Sequence, residues 1–562
     1  MYIGIDVGGT CTDAVLLSSG KVHATAKIYN TPENLLTSLV QALDSVMKGV
    51  SAEEIERVVL STTMITNLIM ERKYDPVGLI MMPGPGRKFQ HYRNAHVHII
   101  DGAIDYRGRE IIPVDEQQVM QALKLLDAEG YDKVAVVGKF STRNNQHELY
   151  VNDLIKKYQP HWQVEMGHRA GGRLNFPRRI DTTLLTCATK EKYHYFVQSV
   201  NEALDNRQIK AQVFIMKADG GTMTLASSEQ SPVETIFSGP AASTLGAQSL
   251  TAAGETSVMV DIGGTTTDLA LILSGKPLLS SQGVLVGDKL TQVRTLAVKS
   301  VPVGGDSVVE MVGKELIIYS ERMGQPYCLG GSFPTPTDAL NVMSLTKLGD
   351  KSKAWEAMEK LGKPVGYSPV EVANKIINLV VDTVVEEIEN MFMGWEQEPA
   401  YRIWEVMQKR RMRPQNVVGV GGGAAGFVPQ IATRIDGTPV LPPYAAVANA
   451  IGAAVAKPTL QVTMRADTEQ NIFSVEEDGY QGRINQSPFG FEESLSLAKE
   501  WLIDKAKKMN IGDEVQNVEI TRQEVFNIVR DFNTTGRIYD ICVQTPRGIQ
   551  WHIGAEGKLY EK

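Results

Sequence analysis

Cysteine is scarce in this chain: Cys11, Cys187, Cys328 and Cys542 are the only four in 562 residues. Their wide spacing excludes a disulfide framework and a CxxC metal site, and it suits a reducing cytoplasm. Positive charge is also short, with 57 Lys and Arg against 65 Asp and Glu, a net of −8. That leaves no basic footprint for nucleic acid. No apolar run approaches the ~20 residues of a membrane helix; the longest, Tyr444 to Ala456, is short and mostly alanine. The first residues, Met1-Tyr2-Ile3-Gly4-Ile5-Asp6, carry no basic n-region and enter a strand at once. A Gly-x4-Gly-Lys-Ser/Thr sequence is missing too, which excludes a P-loop ATPase.

What remains is an ordinary globular composition, 43% hydrophobic and 22% charged, with enough apolar side chains for several cores. Its most informative feature is an internal repeat. Asp6-Val7-Gly8-Gly9-Thr10-Cys11-Thr12-Asp13 recurs as Asp261-Ile262-Gly263-Gly264-Thr265-Thr266-Thr267-Asp268. Aligning Gly4–Lys21 with Met259–Lys276 gives ten identities in eighteen positions, where composition alone gives about one. The offset of 255 residues is too long for a solenoid and indicates domain duplication.

Each copy has one local grammar. A buried strand (Tyr2 to Val7; Ser257 to Ile262) meets a Gly-Gly-Thr turn, then a second apolar run (Ala14 to Leu17; Leu269 to Leu273). That is a β-hairpin with a glycine-rich tip. Helices alternate with strands around the hairpins. Thr31-Pro32 opens one to about Met47, Asp115 with Gln118 opens another that stops at Gly130, and Ser368-Pro369-Val370-Glu371 caps a long one to about Met393. The chain divides into an α/β domain at residues 1–180, a second at 181–458, and a small α+β domain at 459–562. In the last, Phe491 to Met509 reads as a helix, and Val518 to Val529 and Ile538 to Val543 read as strands joined through Asn533-Thr534-Thr535-Gly536.

Glycine at a hairpin tip lets backbone N–H groups approach phosphate without interference from Cβ. Gly8, Gly9, Gly263 and Gly264 supply that freedom, and Thr10, Thr12, Thr265 and Thr267 can add hydroxyl donors. Asp6 and Asp261, at the strand ends, are the candidate catalytic residues and can hold Mg²⁺ directly or through water. One Asp-x-Gly-Gly turn alone is commonplace; two facing each other would clamp a polyphosphate from both sides. Gly421-Gly422-Gly423, between a strand and a helix, suits close approach of a nucleotide. The rival readings of that third element are a plain tight turn and a dinucleotide fingerprint (Gly419-x-Gly421-x-x-Ala424), the latter leaving both hairpins unexplained.

The two hairpins and the Gly-Gly-Gly loop resemble the actin, Hsp70 and sugar-kinase superfamily, and more narrowly the hydantoinase A/5-oxoprolinase family, which includes acetone carboxylase subunits. Thr62-Thr63-Met64-Ile65-Thr66-Asn67, Gly220-Gly221, Ser238-Gly239-Pro240-Ala241-Ala242, Gly304-Gly305-Asp306-Ser307 and Pro334-Thr335-Pro336-Thr337-Asp338 extend the likeness in family order over residues 1 to about 455. The resemblance implies two RNase H-like domains around a cleft holding ATP. By it, Asp6, Gly8, Gly9 and Thr10 form the first phosphate loop and Asp261, Gly263, Gly264 and Thr265 the second. Gly421 to Gly423 line the adenosine side, and Ala448-Asn449-Ala450-Ile451-Gly452 resembles the small-residue helix at the hinge, a run equally compatible with plain helix packing. The implied cofactors are ATP and Mg²⁺. The implied chemistry phosphorylates an amide or enol oxygen, so that a poor electrophile becomes attackable.

Some positions depart from the family: Ser61 stands where many members have His, Asp219 where Asn is usual, and Asp306 where a third Gly is common. The leading expectation is an ATP-dependent hydrolase of cyclic amides of the hydantoin, oxoproline or lactam type, alone or with a separate hydantoinase B-type subunit, and oligomeric. The alternatives are an ATPase subunit of a ketone carboxylase, a chaperone-like ATPase that reactivates a partner enzyme, and, last, a small-molecule kinase. His91, His96 and His98 form the only histidine cluster, with Zn²⁺ or a plain polar strand face as its readings.

Overall fold

The computed structural model describes the chain apart from residues 10, 19–20, 31–34, 87–95, 172–173, 252–253, 288, 321–322, 398–411, 513–514, 516, 554–558 and 561–562. The first sheet begins with the predicted hairpin, β1 (Tyr2–Val7) and β2 (Cys11–Ser18), followed by β3 (Lys21–Tyr29) and β4 (Arg57–Thr62). β1 pairs antiparallel with β2 and parallel with β4, so the two strands at the middle of the sheet are buried along almost their whole length. Two further strands complete this sheet, β5 (Gln212–Met216) parallel to β4, then β6 (Thr222–Thr224). The order is β6-β5-β4-β1-β2-β3.

β5 and β6 lie beyond residue 180, in the stretch assigned from sequence to the second domain. The first sheet therefore draws on segments either side of that point. The physical reason is an insertion. Between β4 and β5 the chain builds a four-stranded all-parallel sheet from Gly78–Met82, Val97–Ile99, Lys133–Gly138 and Gln163–Met166. The 30-residue helix Phe176–Asp205 then returns the chain to the first sheet. A pairing across such a distance leaves no local trace in sequence.

After helix α1 (Ser238–Ser249), the second sheet repeats the first. β7 (Ser257–Ile262) pairs antiparallel with β8 (Thr267–Leu273), which pairs with β9 (Val298–Val301). On its other side β7 is parallel to β10 (Asn416–Val420), and β10 to β11 (Thr438–Val440). Both sheets thus run hairpin, third antiparallel strand, then two parallel strands, the RNase H-like arrangement. Helix α2 (Ala448–Val455) follows the second sheet and packs with α1 between the two. One buried cluster joins them: Val15 and Leu17 from the first sheet, Met259 and Val418 from the second, and Ala247, Ala450, Ile451 and Ala454 from the helices.

The helix crossing is built from backbone. A Cβ on Gly452 would lie 1.9 Å from Ala242 O, one on Gly246 1.9 Å from Ala448 O, and one on Gly4 2.0 Å from Ala450 O. No side chain fits at those three positions.

Beyond α2 the chain forms a five-stranded antiparallel sheet covered by the helix Phe491–Lys508. Its hairpin, Glu519–Arg530 with Asn533–Gln544, turns at Asp531 and Phe532, both at positive φ (48° and 65°). The turn is therefore two residues tight and precedes the Asn533–Gly536 segment expected to form it. Two positive-φ residues suit the twist of a hairpin, so Asn533–Gly536 stay in the strand. Buried ion pairs Arg107–Asp467 (2.7 Å) and Arg143–Glu476 (2.8 Å) tie this sheet to the inserted one. The Asp115 and Ser368 caps form as read, whereas Thr31-Pro32 lies outside the described residues.

Candidate nucleotide site

The hairpin register sets the geometry of the site. Asp6 opposes Asp13 across the first hairpin, and Asp261 opposes Asp268 across the second. Each tip closes with the same bond: Gly8 N–H donates to Cys11 O at 3.0 Å and Gly263 N–H to Thr266 O at 3.0 Å. Gly9 and Gly263 are exposed, leaving backbone open toward the cleft. Thr10 lies outside the described residues.

Asp6 is 4% exposed. Its Oδ2 accepts from Asn449 Nδ2 of α2 at 2.7 Å, and its Oδ1 is buried with no hydrogen-bond partner among the described residues. Burial, reinforced by repulsion from Asp13 and Asp261, lifts its carboxyl to about 7 against the help of Ser61 and Asn449. Asp261 accepts from Ser243 Oγ of α1 at 2.6 Å and is likewise raised by burial. Burial and the nearby Asp261 push Asp268 to about 7. Asp261 is near enough to act on the Asp6 carboxyl, and Lys27 of the first sheet acts on Asp261 in turn.

Among the described residues, one cation is seen to lie against these carboxylates. Lys27, cross-strand from Asp13, grips it with Nζ at 2.8 and 2.9 Å and also donates to Ala446 O at 3.1 Å. Burial opposes its charge, but Asp13 keeps Lys27 above its usual value. In the second copy the position opposite Asp268 is Ser300, so no lysine compensates there. The floor of the cleft carries excess negative charge and one orphaned carboxylate oxygen. That set suits a hard divalent cation with oxygen ligands.

The third glycine run lies beside the second loop. Gly421, at φ +82°, has its missing Cβ 2.4 Å from Asp261 Oδ1. Gly423 N–H donates to Ile262 O at 3.1 Å, and Gly422 faces open space. Asp306, the departure from the family's third glycine, backs the same loop: its N–H donates to Gly264 O at 2.7 Å. Thr265 is half-buried.

Thr12 and Thr267 sit elsewhere than a phosphate role would put them. Both are fully buried; Thr12 Oγ1 donates to Asn30 Oδ1 at 2.7 Å and Thr267 Oγ1 to Val303 O at 2.7 Å. Alternation along the strand turns these hydroxyls inward, where they brace the hairpins. His91 lies outside the described residues, and among the described residues no cluster of three metal-ligating side chains occurs. His98 Nε2 is buried without a partner, and burial lowers its pKa. The residues sequence reasoning missed are Asn449, Ser243 and Lys27, which meet the aspartates only through tertiary packing or cross-strand register.

Two family matches cover most of the chain: hydantoinase/oxoprolinase N-terminal region over residues 2–159 and hydantoinase/oxoprolinase over 179–462. The chain belongs to the hydantoinase/oxoprolinase family. It is 26% identical to the acetophenone carboxylase gamma subunit of Aromatoleum aromaticum over 75% of this chain and 63% of that one. It is 23% identical to caprolactamase subunit alpha of Pseudomonas jessenii over 79% and 68% respectively. The chain thus spans less than two thirds of the first relative's length. The crystal structure of the ATP-dependent caprolactamase from Pseudomonas jessenii shares the fold, with TM-score 0.72 and 19% identity over 98% of this chain and 87% of that one. Among the described residues, no helix is long and apolar enough to cross a membrane.

Proposed function

We propose that this family member is an ATP- and Mg²⁺-dependent enzyme that activates the carbonyl of a small cyclic amide for hydrolysis. The observation that carries the reading is the facing pair of hairpins, each with a buried aspartate at its strand end and a glycine tip. Asp6 and Asp261 would share the divalent cation, with the unpartnered Asp6 Oδ1 the natural first ligand. Backbone N–H groups at Gly8, Gly9, Gly263 and Gly264 would meet phosphate oxygens, with Thr10 and Thr265 beside them. Gly421 to Gly423 would flank the adenosine. ATP bound there would supply the phosphoryl group that, placed on the amide oxygen, makes the carbonyl carbon attackable by water.

The chain's own residues set the electrostatics of that cleft. Asn449 and Ser243 each hold one oxygen of an aspartate, and Lys27 neutralises Asp13 so that it would not compete for the cation. Positioning and charge neutralisation are most of what phosphoryl transfer requires.

A second reading is favoured by the acetophenone carboxylase relative, in which the same loops would serve a ketone carboxylase as its ATPase subunit. ATP hydrolysis with Mg²⁺ across hydantoins, 5-oxoproline, lactams, and ketones with bicarbonate separates the two. Ring opening stoichiometric with ATP consumption supports the hydrolase, and turnover stimulated only by a ketone with bicarbonate overturns it. If every response is flat, the assay repeated with a hydantoinase B-type subunit decides whether a partner completes the enzyme. Silence there too overturns both enzymatic readings in favour of a chaperone-like ATPase.

A further inference from the structure

The segment between β11 and α2, residues 441–447, is held by both halves of the cleft. Gly421 N–H donates to Ala445 O at 3.2 Å, and Lys27 Nζ donates to Ala446 O at 3.1 Å. Two consecutive carbonyls thus reach the third glycine run of the second sheet and the lysine that grips Asp13 in the first. Tyr444 is the residue just before them.

Its backbone is pinned within the turn as well. Ala445 N–H donates to Pro442 O at 3.2 Å and Val447 N–H to Tyr444 O at 2.9 Å. Tyr444 itself adopts φ 64° and ψ 16°, the left-handed region that a bulky L-residue rarely enters. Glycine makes such a turn without strain, and the chain uses it so at Gly421, φ +82°. Strain of this kind persists only where the surroundings over-determine it, and it clusters at ligand sites. Glycine would serve the backbone better, so the ring needs another reason.

Polar and aromatic contacts inside the protein do not supply that reason. Tyr444 is 38% exposed, and among the described residues its hydroxyl makes no hydrogen bond and its ring meets no other ring or cation. Phe532 also holds positive φ, but it lies at a hairpin tip, where the twist of the strands demands it. No hairpin joins β11 to α2.

The surroundings of the ring are apolar and open. Leu441, also exposed, has its Cδ2 2.8 Å from the place of the missing Cβ of Gly419, so its side chain lies against the strand that leads into the glycine run. Gly422 opens onto space, with nothing within 4 Å of its missing Cβ. Leu441, Tyr444 and the glycines follow the carboxyl ends of the parallel strands β10 and β11, where open α/β sheets hold their ligands. The carboxylates of the cleft suit a cation and its phosphates. An aromatic ring beside bare backbone suits a planar, uncharged ring instead.

We propose that Tyr444 receives the nucleobase of ATP: the base stacks on its ring beside Gly421 to Gly423, and the larger purine face makes the site prefer purine to pyrimidine nucleotides. Tyr444 thereby sets base selectivity, apart from the loops that hold phosphate. The inference rests on the ATP reading of those loops and goes beyond it by naming the side chain that meets the base. Stacking adds affinity without hydrogen-bond readout, so the preference is for ring size rather than for adenine over guanine.

Calorimetric titration of the full chain with Mg²⁺ tests it with three probes: a non-hydrolysable ATP analogue, the corresponding UTP analogue, and inorganic tripolyphosphate, which has no base. The ATP analogue is expected to bind at least ~5-fold tighter than the UTP analogue. Tyr444→Ala should weaken the ATP analogue by about 5- to 100-fold, erase that preference and leave tripolyphosphate unchanged, whereas Tyr444→Phe should keep affinity and preference. Tyr444→Gly should lose the same affinity with no drop in the unfolding temperature of the nucleotide-free protein, because it relieves the turn. Equal affinity of the unsubstituted chain for the two analogues, or an unchanged ATP-analogue affinity in Tyr444→Ala, overturns the proposal. So does a parallel loss of tripolyphosphate, which would make Tyr444 a support of the loop. Failure of the unsubstituted chain to bind either the ATP analogue or tripolyphosphate overturns the ATP reading itself, and the proposal with it.

Discussion

Asn449 donates its side-chain amide to Asp6 across 443 residues of chain, at 2.7 Å. The contact fixes which carboxylate oxygen is occupied and which stays free. Replacing Asn449 by Asp adds a further acid beside Asp6 and drives the Asp6 carboxyl further up. We expect at least a tenfold loss of Mg²⁺-dependent ATP turnover at pH 7, partly recovered at higher pH. A pH–rate profile of the variant checks it.

Asp6→Asn and Asp261→Asn should each reduce ATP turnover by 100-fold or more while leaving the fold intact. Asp6→Asn should also raise the unfolding temperature of the ligand-free protein at pH 8, because it removes an uncompensated buried charge. Paired activity and melting measurements would show the two effects moving in opposite directions. Undiminished turnover removes that aspartate from the catalytic set.

The raised carboxyls give stability a defined pH dependence. Asp6 and Asp268 bind protons up to about pH 7 in the folded protein but release them near pH 4 when unfolded. Between those values the native state holds more protons, so stability falls as pH rises. Their contribution is full below about pH 4 and gone above about pH 7. Melting curves without divalent cation should follow that slope, and added Mg²⁺ should raise the melting temperature most above pH 7.

Two adjacent glycines make a contrasting pair. Gly421 holds φ +82° with its missing Cβ 2.4 Å from Asp261 Oδ1, whereas a Cβ on Gly422 would meet nothing within 4 Å. Gly421→Ala should cost about 1–3 kcal/mol of stability and displace Asp261. Gly422→Ala should leave unfolding unchanged but weaken nucleotide binding if adenosine passes over it. Thermal unfolding and titration with a fluorescent ATP analogue distinguish the two.

The hairpins were legible because all their determinants are local: apolar strands of matching length, a glycine tip, and a repeat that shows twice what one copy would leave ambiguous. Asp6 and Asp261 could be singled out for the same reason. The inward turn of Thr12 and Thr267 was also within reach, since strand alternation puts each on the face opposite the aspartate that follows it. What stayed hidden depends on distant partners. β5 joins the first sheet only after a four-stranded insertion, and Asn449 reaches Asp6 only because α2 lies against β1. Lys27 shows the intermediate case: one strand away from Asp13, it needed only the register of β3.

The crossing of α1 and α2 gives the two halves of the protein a common bearing. α2 lies on the first sheet, with Ala450 O over Gly4 and Asn449 on Asp6; α1 holds Asp261 of the second through Ser243. Where they touch, glycine meets carbonyl at Gly246 and Gly452. Each aspartate is thus held by a different helix, so any rotation of one sheet against the other would change the gap between the carboxylates while each kept its amide or hydroxyl holder.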